Sequence, residues 1–376
     1  MDVLLALLLL CLVSILSAPP LASNELQGDL AAYLELSFRN PEVLETVYTR
    51  QSKFNLLAIN QGTRDVYIGA VNRAYRLDSD FNQLQGIITH EYGDRSFSDR
   101  RDSYYTKLLI IDSARGLIIC GSARGICELR NFNDIAKVLI SSRSGVVSER
   151  NSSPVGIITS GERYLIVGES PDRYNAPLIS RRNLEGNTFL EYNFYGSAIT
   201  LSHYASLDFS VSYVTIYSWD SFTYFVTFQP VDVNARTSVS KVSRVCNEAR
   251  DLDAYTEITI QCSGSDGSVY SLVQAAFFGP AGPDLAASWG LQADEQVLYA
   301  VFAKNRGAGD VPTDHSAMCV YRMTDVLAAF REAVRGCIQE GGAYRAWHLE
   351  ESRCYSHLVP ICFPGSRVLN IVNNPI

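Results

Sequence analysis

The chain has 376 residues, 47% of them apolar, and a formal net charge of −8. That length is ample for one large domain or two ordinary ones, and the acidic balance leaves no electrostatic footprint for nucleic acid. The 21 Tyr and 16 Phe, set among many short Gly, Asn, Asp and Ser breaks, predict an all-β fold.

Residues 1–22 read as a signal peptide. Positions 3–16 form an apolar run too short to span a bilayer, and small residues follow, with cleavage expected after Ala18 or Ala22. Asp2, with no Lys or Arg ahead of the run, leaves an apolar core helix as the alternative. No other stretch approaches the roughly 18 apolar residues of a membrane span. Residues 23–45 are a leader. Removing the signal takes Cys11 with it and leaves Cys120, Cys127, Cys246, Cys262, Cys319, Cys337, Cys354 and Cys362. An even count in a secreted chain predicts four disulfides, with many connectivities open on spacing alone. The sequon at Asn151 is a glycosylation candidate, weakened by Pro154.

From residue 46 onward the pattern repeats. Shifting "YIGAVNRAYRL" (67–77) by 52 positions lays Gly69 on Gly121, Tyr75 on Cys127 and Leu77 on Leu129. A weaker third copy begins at "YLIVG" (164–168), and "SYVTIYSWDSFTYFVTFQ" and "QVLYAVFA" keep the strand character further on. Recurrence at about 50 residues with several strands per unit marks a β-propeller, with a β-sandwich array as the alternative.

The stretch "CGSARGIC" (120–127) lies inside the second copy, between "LIIC" and "ICELR", and SARG occurs twice, at 113–116 and 122–125. These segments predict a three-strand meander with Cys120 closing one strand and Cys127 opening the next, so a disulfide between them is geometrically natural. The alternatives fit less well. A zinc knuckle wants closer cysteines and a second ligand pair, a redox motif wants C-x-x-C, and a phosphate loop would open a helix rather than a strand.

Other chemistry is sparse. Asp314, His315 and Ser316 are adjacent in the chain, which a catalytic triad does not require, and they read as a polar loop before the strand holding Cys319. His348 and His357 flank Cys354 and read as solvated loop residues. The Asp-rich turns at 77–83 and 263–271 lack the twelve-residue calcium-loop pattern, and the latter reads as a hairpin. Arg181-Arg182 is either a processing site or a packed strand end, the second reading being favoured. The helix signals come late: "MTDVLAAFREAVRGC" (323–337), with Thr324 or Asp325 as N-cap, Gly336 past its end and an apolar stripe of Val326, Leu327, Phe330 and Val334, and a shorter turn at 279–291 opened by Pro283. No catalytic, metal or cofactor site is expected.

Seven segments taken in order resemble the sema domain of plexins, cell-surface receptors for semaphorins. These are "VYIGAVNRAYRLD", "LLIIDSARGLIICGSARGICELRNFNDI", "APLISRRNL", "SKVSRVC", "LVQAAFFGPAGPDLAASWGLQADEQVLYAVFAKN", "SAMCVYRMTDVLAAFREAVRGC" and "ICFPG". The resemblance runs from about residue 50 to residue 364 and implies an all-β, seven-bladed β-propeller. Residues 46–376 would supply about its first five blades, with a small helical insertion. It implies the pairs Cys120–Cys127, Cys246–Cys362, Cys262–Cys319 and Cys337–Cys354. It implies a non-catalytic extracellular module that binds a semaphorin in guidance signalling. The whole receptor would sit in the plasma membrane as a single-pass glycoprotein, with other plexin chains as further partners and no membrane contact by this segment. Sema partners meet at the third and fourth blades, where "GESPDRYNAPL" and "EYNFYGS" fall, so Asp172, Arg173, Phe194 and Tyr195 are the partner-binding candidates. Three departures stand out. The region "EYGDRSFSDRRDSYYTK" has none of the family's usual cysteines, sequons are few, and the chain stops before the last blades. An unclosed propeller exposes a strand edge, so a marginal isolated chain or a fragment is expected. A secreted decoy and an extracellular propeller hydrolase are the alternatives.

Overall fold

The computed structural model describes residues 54–89, 104–143, 146, 153–339 and 346–349, apart from 123–124, 160, 162, 171–176, 186–187, 193–195, 203–204, 206–208, 232–236, 248–251, 253–254, 308–310 and 347. The expected signal and leader segments lie outside these residues. The chain forms two compact units, one up to Ser141 and one from Ser142 onward. Five successive antiparallel meanders run through them, and these are the blades of an incomplete β-propeller.

The first unit holds blades one and two. Blade one is β1 (Phe54–Ile59), β2 (Val66–Ala70), β3 (Arg73–Leu77) and β4 (Gln83–Ile88). Blade two is β5 (Thr106–Asp112), β6 (Gly116–Gly121), β7 (Cys127–Arg130) and β8 (Val138–Ser142). The 52-residue repeat is visible here: β2–β3 and β6–β7 are the second and third strands of their blades. Tyr67 and Ala74 of blade one pack with Leu117 and Ile119 of blade two in one buried cluster. The first SARG makes the β5–β6 turn. The buried Asp112 carboxylate there accepts the Ala114 and Arg115 amides and pairs with the Arg115 guanidinium at 2.9 Å. The Asp-rich turn after Leu77 is local chemistry: the Asp78 carboxylate accepts the amides of Asp80 and Asn82.

The second unit holds three blades. Blade three is β9 (Val155–Ile158), β10 (Tyr164–Gly168), β11 (Pro177–Asn183) and β12 (Ala198–Thr200), and blade four is β13 (Ser212–Trp219), β14 (Phe222–Pro230), β15 (Ser238–Cys246) and β16 (Thr256–Ile260). A small hairpin, β17 (Cys262–Ser263) with β18 (Val269–Tyr270), turns at Asp266-Gly267 and leads into blade five: β19 (Leu272–Pro280), β20 (Gln296–Asn305) and β21 (Pro312–Arg322). Successive strand residues point to opposite faces, so blade four fills two cores. Tyr213, Phe225 and Val245 face blade three beside Ile166 and Ile179. Tyr224, Val226 and Val242 face blade five beside Val273, Leu298 and Phe302.

Two helices complete this unit among the described residues. Helix α1 (Gly282–Trp289) has Pro at its start, and Gly290 caps it in the left-handed region, donating its N–H to Ala286. Helix α2 (Met323–Gln339) packs Val326 and Phe330 into the core of blades four and five. Its ends differ from the sequence expectation. Pairing of β21 with β20 persists to Arg322 opposite Val297, and the strand passes directly into the helix. Thr324 and Asp325 therefore sit inside the first turn, Asp325 facing the positive end of the helix dipole. Gly336 is an interior residue rather than a stop. The same pairing corrects the reading of residues 314–316. They belong to β21 opposite Ala303, not to a loop, and Asp314, His315 and Ser316 are exposed.

Candidate functional site

Blade three carries both loops on which the partner-binding candidates fall. Asp172, Arg173, Phe194 and Tyr195 themselves lie outside the described residues, as does Asn151. The strand between the loops is described, and its geometry separates them. The first loop enters β11 at Pro177 and the second leaves it at Asn183, opposite ends of a strand roughly 20 Å long. The two residue pairs thus belong to loops rooted at opposite ends of one strand.

Each root is fixed by buried groups. At the entering end, the Glu169 amide donates to the Leu178 carbonyl at 3.0 Å, and the Tyr213 hydroxyl donates to the same oxygen at 2.8 Å. At the leaving end the dibasic pair is structural. Arg181 and Arg182 are buried within β11, which is paired on both sides, and this disposes of the processing-site alternative. Arg182 lies 4.3 Å from the centre of the Tyr192 ring, donates to Ser180 Oγ at 2.9 Å and reaches the Leu190 carbonyl at 3.3 Å. Burial lowers its pKa to about 10, which still leaves a cation at neutral pH. Asn183 closes the turn by accepting the Glu185 amide and donating to Thr188. A loop root held this way spends little entropy on binding.

The cysteines staple blades two and five. Cys120 and Cys127 are register partners on β6 and β7 and form a disulfide with Cα atoms 4.0 Å apart. Cys262 joins Cys319, tying the β17–β18 hairpin to β21. Cys246, buried at the end of β15, is also disulfide-bonded. The expected pairings with Cys362 and between Cys337 and Cys354 lie outside the described side chains.

Sequence reasoning missed one polar cluster. His348, expected to be solvated, is fully buried. Its ring stacks on Phe209 with centroids 4.6 Å apart, and Nε2 lies 3.6 Å from Glu257 Oε2. Glu257 on β16 also pairs with Lys241 on β15 and accepts the Tyr255 hydroxyl at 2.7 Å and Gln229 Nε2 at 3.3 Å. Burial pushes the Glu257 carboxyl up, and His348 and Lys241 pull it down, for a net lowering. The hint in the chain was the apolar company of His348, Trp347 before it and Leu349 after it.

Residues 273–359 match the family described as "Sema domain". The chain is 29% identical to human Plexin-A4 over 82% of its own length and 18% of that protein's. The chain therefore spans about a fifth of the length of the curated relatives it matches. Among solved structures, the full extracellular region of Plexin A4 superposes with a TM-score of 0.65 at 27% identity, covering 77% of this chain and 36% of the other. The sema-family match thus lies in blade five and the helix after it, and the curated relatives along most of the chain are plexins. Drosophila Plexin A, solved in complex with Semaphorin 1b, shares the sema fold at 14% identity and a TM-score of 0.51, over 88% of this chain and 64% of that one. Among the described residues no helix is long and apolar enough to cross a membrane.

Proposed function

We propose that this sema domain is the ligand-recognition region of a plexin-like cell-surface receptor, binding a semaphorin by protein–protein contact without catalysis. The similarity to Plexin-A4 in both sequence and fold carries this reading. The semaphorin bound to Drosophila Plexin A, a protein of the same fold, supports the partner class. Stapled strands and buried loop roots suit an extracellular binding module. In this reading residues 1–22 direct secretion, residues 23–45 lead into the propeller that begins at 46, and Asn151 is the glycan site. The receptor is anchored elsewhere in a longer chain. Asp172 with Arg173, and Phe194 with Tyr195, are two separate contact patches, and a second receptor chain is a further partner.

Binding of the secreted, disulfide-intact chain to a panel of semaphorin ectodomains tests this by interferometry. Saturable binding is expected to at least one of them. D172A/R173A or F194A/Y195A is expected to weaken it about 10-fold or more, the scale of a contact hot spot. A monodisperse, β-folded chain that binds no member of the panel would sink the proposal. If both double variants bind like the wild type, the contact lies elsewhere on the domain.

A further inference from the structure

We propose that Asp266-Gly267, at the tip of the β17–β18 hairpin, is a latent isoaspartate site whose conversion the folded hairpin restrains through Ser268. The inference goes beyond ligand binding and does not depend on it.

This is the only Asp-Gly or Asn-Gly step in the sequence. The conversion needs no cofactor. The Gly267 nitrogen attacks Asp266 Cγ, the amide proton leaves with the carboxyl OH as water, and a cyclic succinimide forms. Water then adds at the Asp266 backbone carbonyl carbon and breaks its bond to the Gly267 nitrogen. Gly267 is left joined through the Asp266 side chain, and the new carboxyl sits on the Asp266 Cα. One water is lost and one regained, so the net change is an isomerisation that lengthens the main chain by one carbon. Both residues are exposed, so water has access throughout. Gly267 has φ +80°, and a Cβ there would meet nothing within 4 Å, so its nitrogen is not shielded by a side chain or by neighbours.

The hairpin opposes both reacting groups. The attacking N–H is engaged, since the Gly267 amide donates to the Gly264 carbonyl at 3.0 Å. The carboxylate under attack is pinned, since Asp266 Oδ1 accepts the Ser268 amide at 3.0 Å and the Ser268 hydroxyl at 2.5 Å. A rate falls steeply when reacting atoms are held away from the attack geometry. The bonds from the Ser268 hydroxyl and then its amide also hold the Asp266 carboxyl below its ordinary pKa, with a smaller pull from Lys304. That favours the ionised form, whose oxygen is a poorer leaving group than the OH of the acid. The frame around the tip is closed as well. The Gly264 amide donates to the Ser268 carbonyl at 2.8 Å, Cys262 is joined to Cys319, and the Tyr321 hydroxyl donates to the Gln261 carbonyl at 2.8 Å. The other Asp-rich turn is an internal contrast. Asp78 is held in the same manner by the amides of Asp80 and Asn82, but Ser79 follows it in place of glycine.

Ageing the secreted, disulfide-intact chain at body temperature and neutral pH tests the proposal, with the linkage at residue 266 read by electron-transfer mass spectrometry. A synthetic peptide of residues 262–270 with its cysteine blocked sets the unrestrained rate. The folded chain is expected to convert about 10-fold more slowly than the peptide, the scale of one hydrogen bond. S268A is expected to recover most of that difference, S268T to stay slow because it keeps the hydroxyl, and residue 78 to stay unconverted. A folded chain that converts as fast as the peptide overturns the restraint, and S268A as slow as the wild type removes Ser268 from it. No conversion in the peptide overturns the site itself. Should S268A fail to be secreted, the comparison of wild type with peptide decides.

Discussion

A Cβ on Gly121 would lie 1.9 Å from the Tyr104 ring, and one on Gly168 would lie 2.5 Å from the Tyr213 ring. Both tyrosines are buried, and Tyr213 is anchored through its hydroxyl, so neither ring has room to yield. Glycine ends the second strand of these blades because an aromatic ring occupies the space a Cβ would need there. Gly121→Ala is expected to cost about 2 kcal/mol in urea unfolding, the scale of core overpacking; an unchanged midpoint would show that Tyr104 moves freely. Arg244 makes a similar residue-scale argument. Its guanidinium is sandwiched between Phe222 at 4.1 Å and Phe330 at 4.3 Å, and burial lowers its pKa. Lysine keeps the charge but loses the flat stacking face. Arg244→Lys is therefore expected to cost about 1–3 kcal/mol, and a melting temperature equal to wild type would refute the stacking account.

At the scale of elements, α2 offers a stabilising change. Gly336 lies within the helix, and a Cβ there meets nothing within 4 Å. Gly336→Ala is expected to add about 0.5–1 kcal/mol, checked by the shift in denaturant midpoint. The disulfides divide by the loops they close. Cys120–Cys127 spans a separation of 7 and Cys262–Cys319 one of 57. Chain entropy assigns them about 2.5 and about 4 kcal/mol. The double variant C262A/C319A should therefore lose more stability than C120A/C127A, and the reverse order would contradict the entropic account.

For the whole molecule, the fold brings no group of three or more His, Cys, Asp or Glu together as a metal site among the described residues. If the proposed semaphorin binding is protein–protein contact alone, chelation with EDTA is expected to leave it unchanged, whereas reduction of the disulfides should abolish it. A loss of binding on chelation alone would call for a cation the contact model lacks. Blade four is the molecule's most committed layer in the second unit, because both of its faces are core. Substitutions there should spread to blades three and five, while changes at the exposed β8 residues Val138, Leu139 and Ile140 should stay local.

Much of this was legible in the chain because it rests on local pattern. The 52-residue spacing of Gly69 and Gly121 marked equivalent strands, and the short Cys120–Cys127 spacing marked a staple across a turn. Alternation and turn residues are properties of neighbours in sequence, so they survive without a structure. The blade count came from the family resemblance, and five blades are seen, whereas the late helix was legible in its own apolar stripe of Val326, Leu327, Phe330 and Val334. Partnership across long separations was not legible. Nothing near His348 announces Phe209 or Glu257, which are contributed by other segments and meet it only when blades three and four pack. Nor did the chain show that Asp314–Ser316 would be strand, since β20 supplies the pairing that extends β21. Local composition determined the strands and staples; tertiary packing alone decided which polar groups are buried, and with that their charge state.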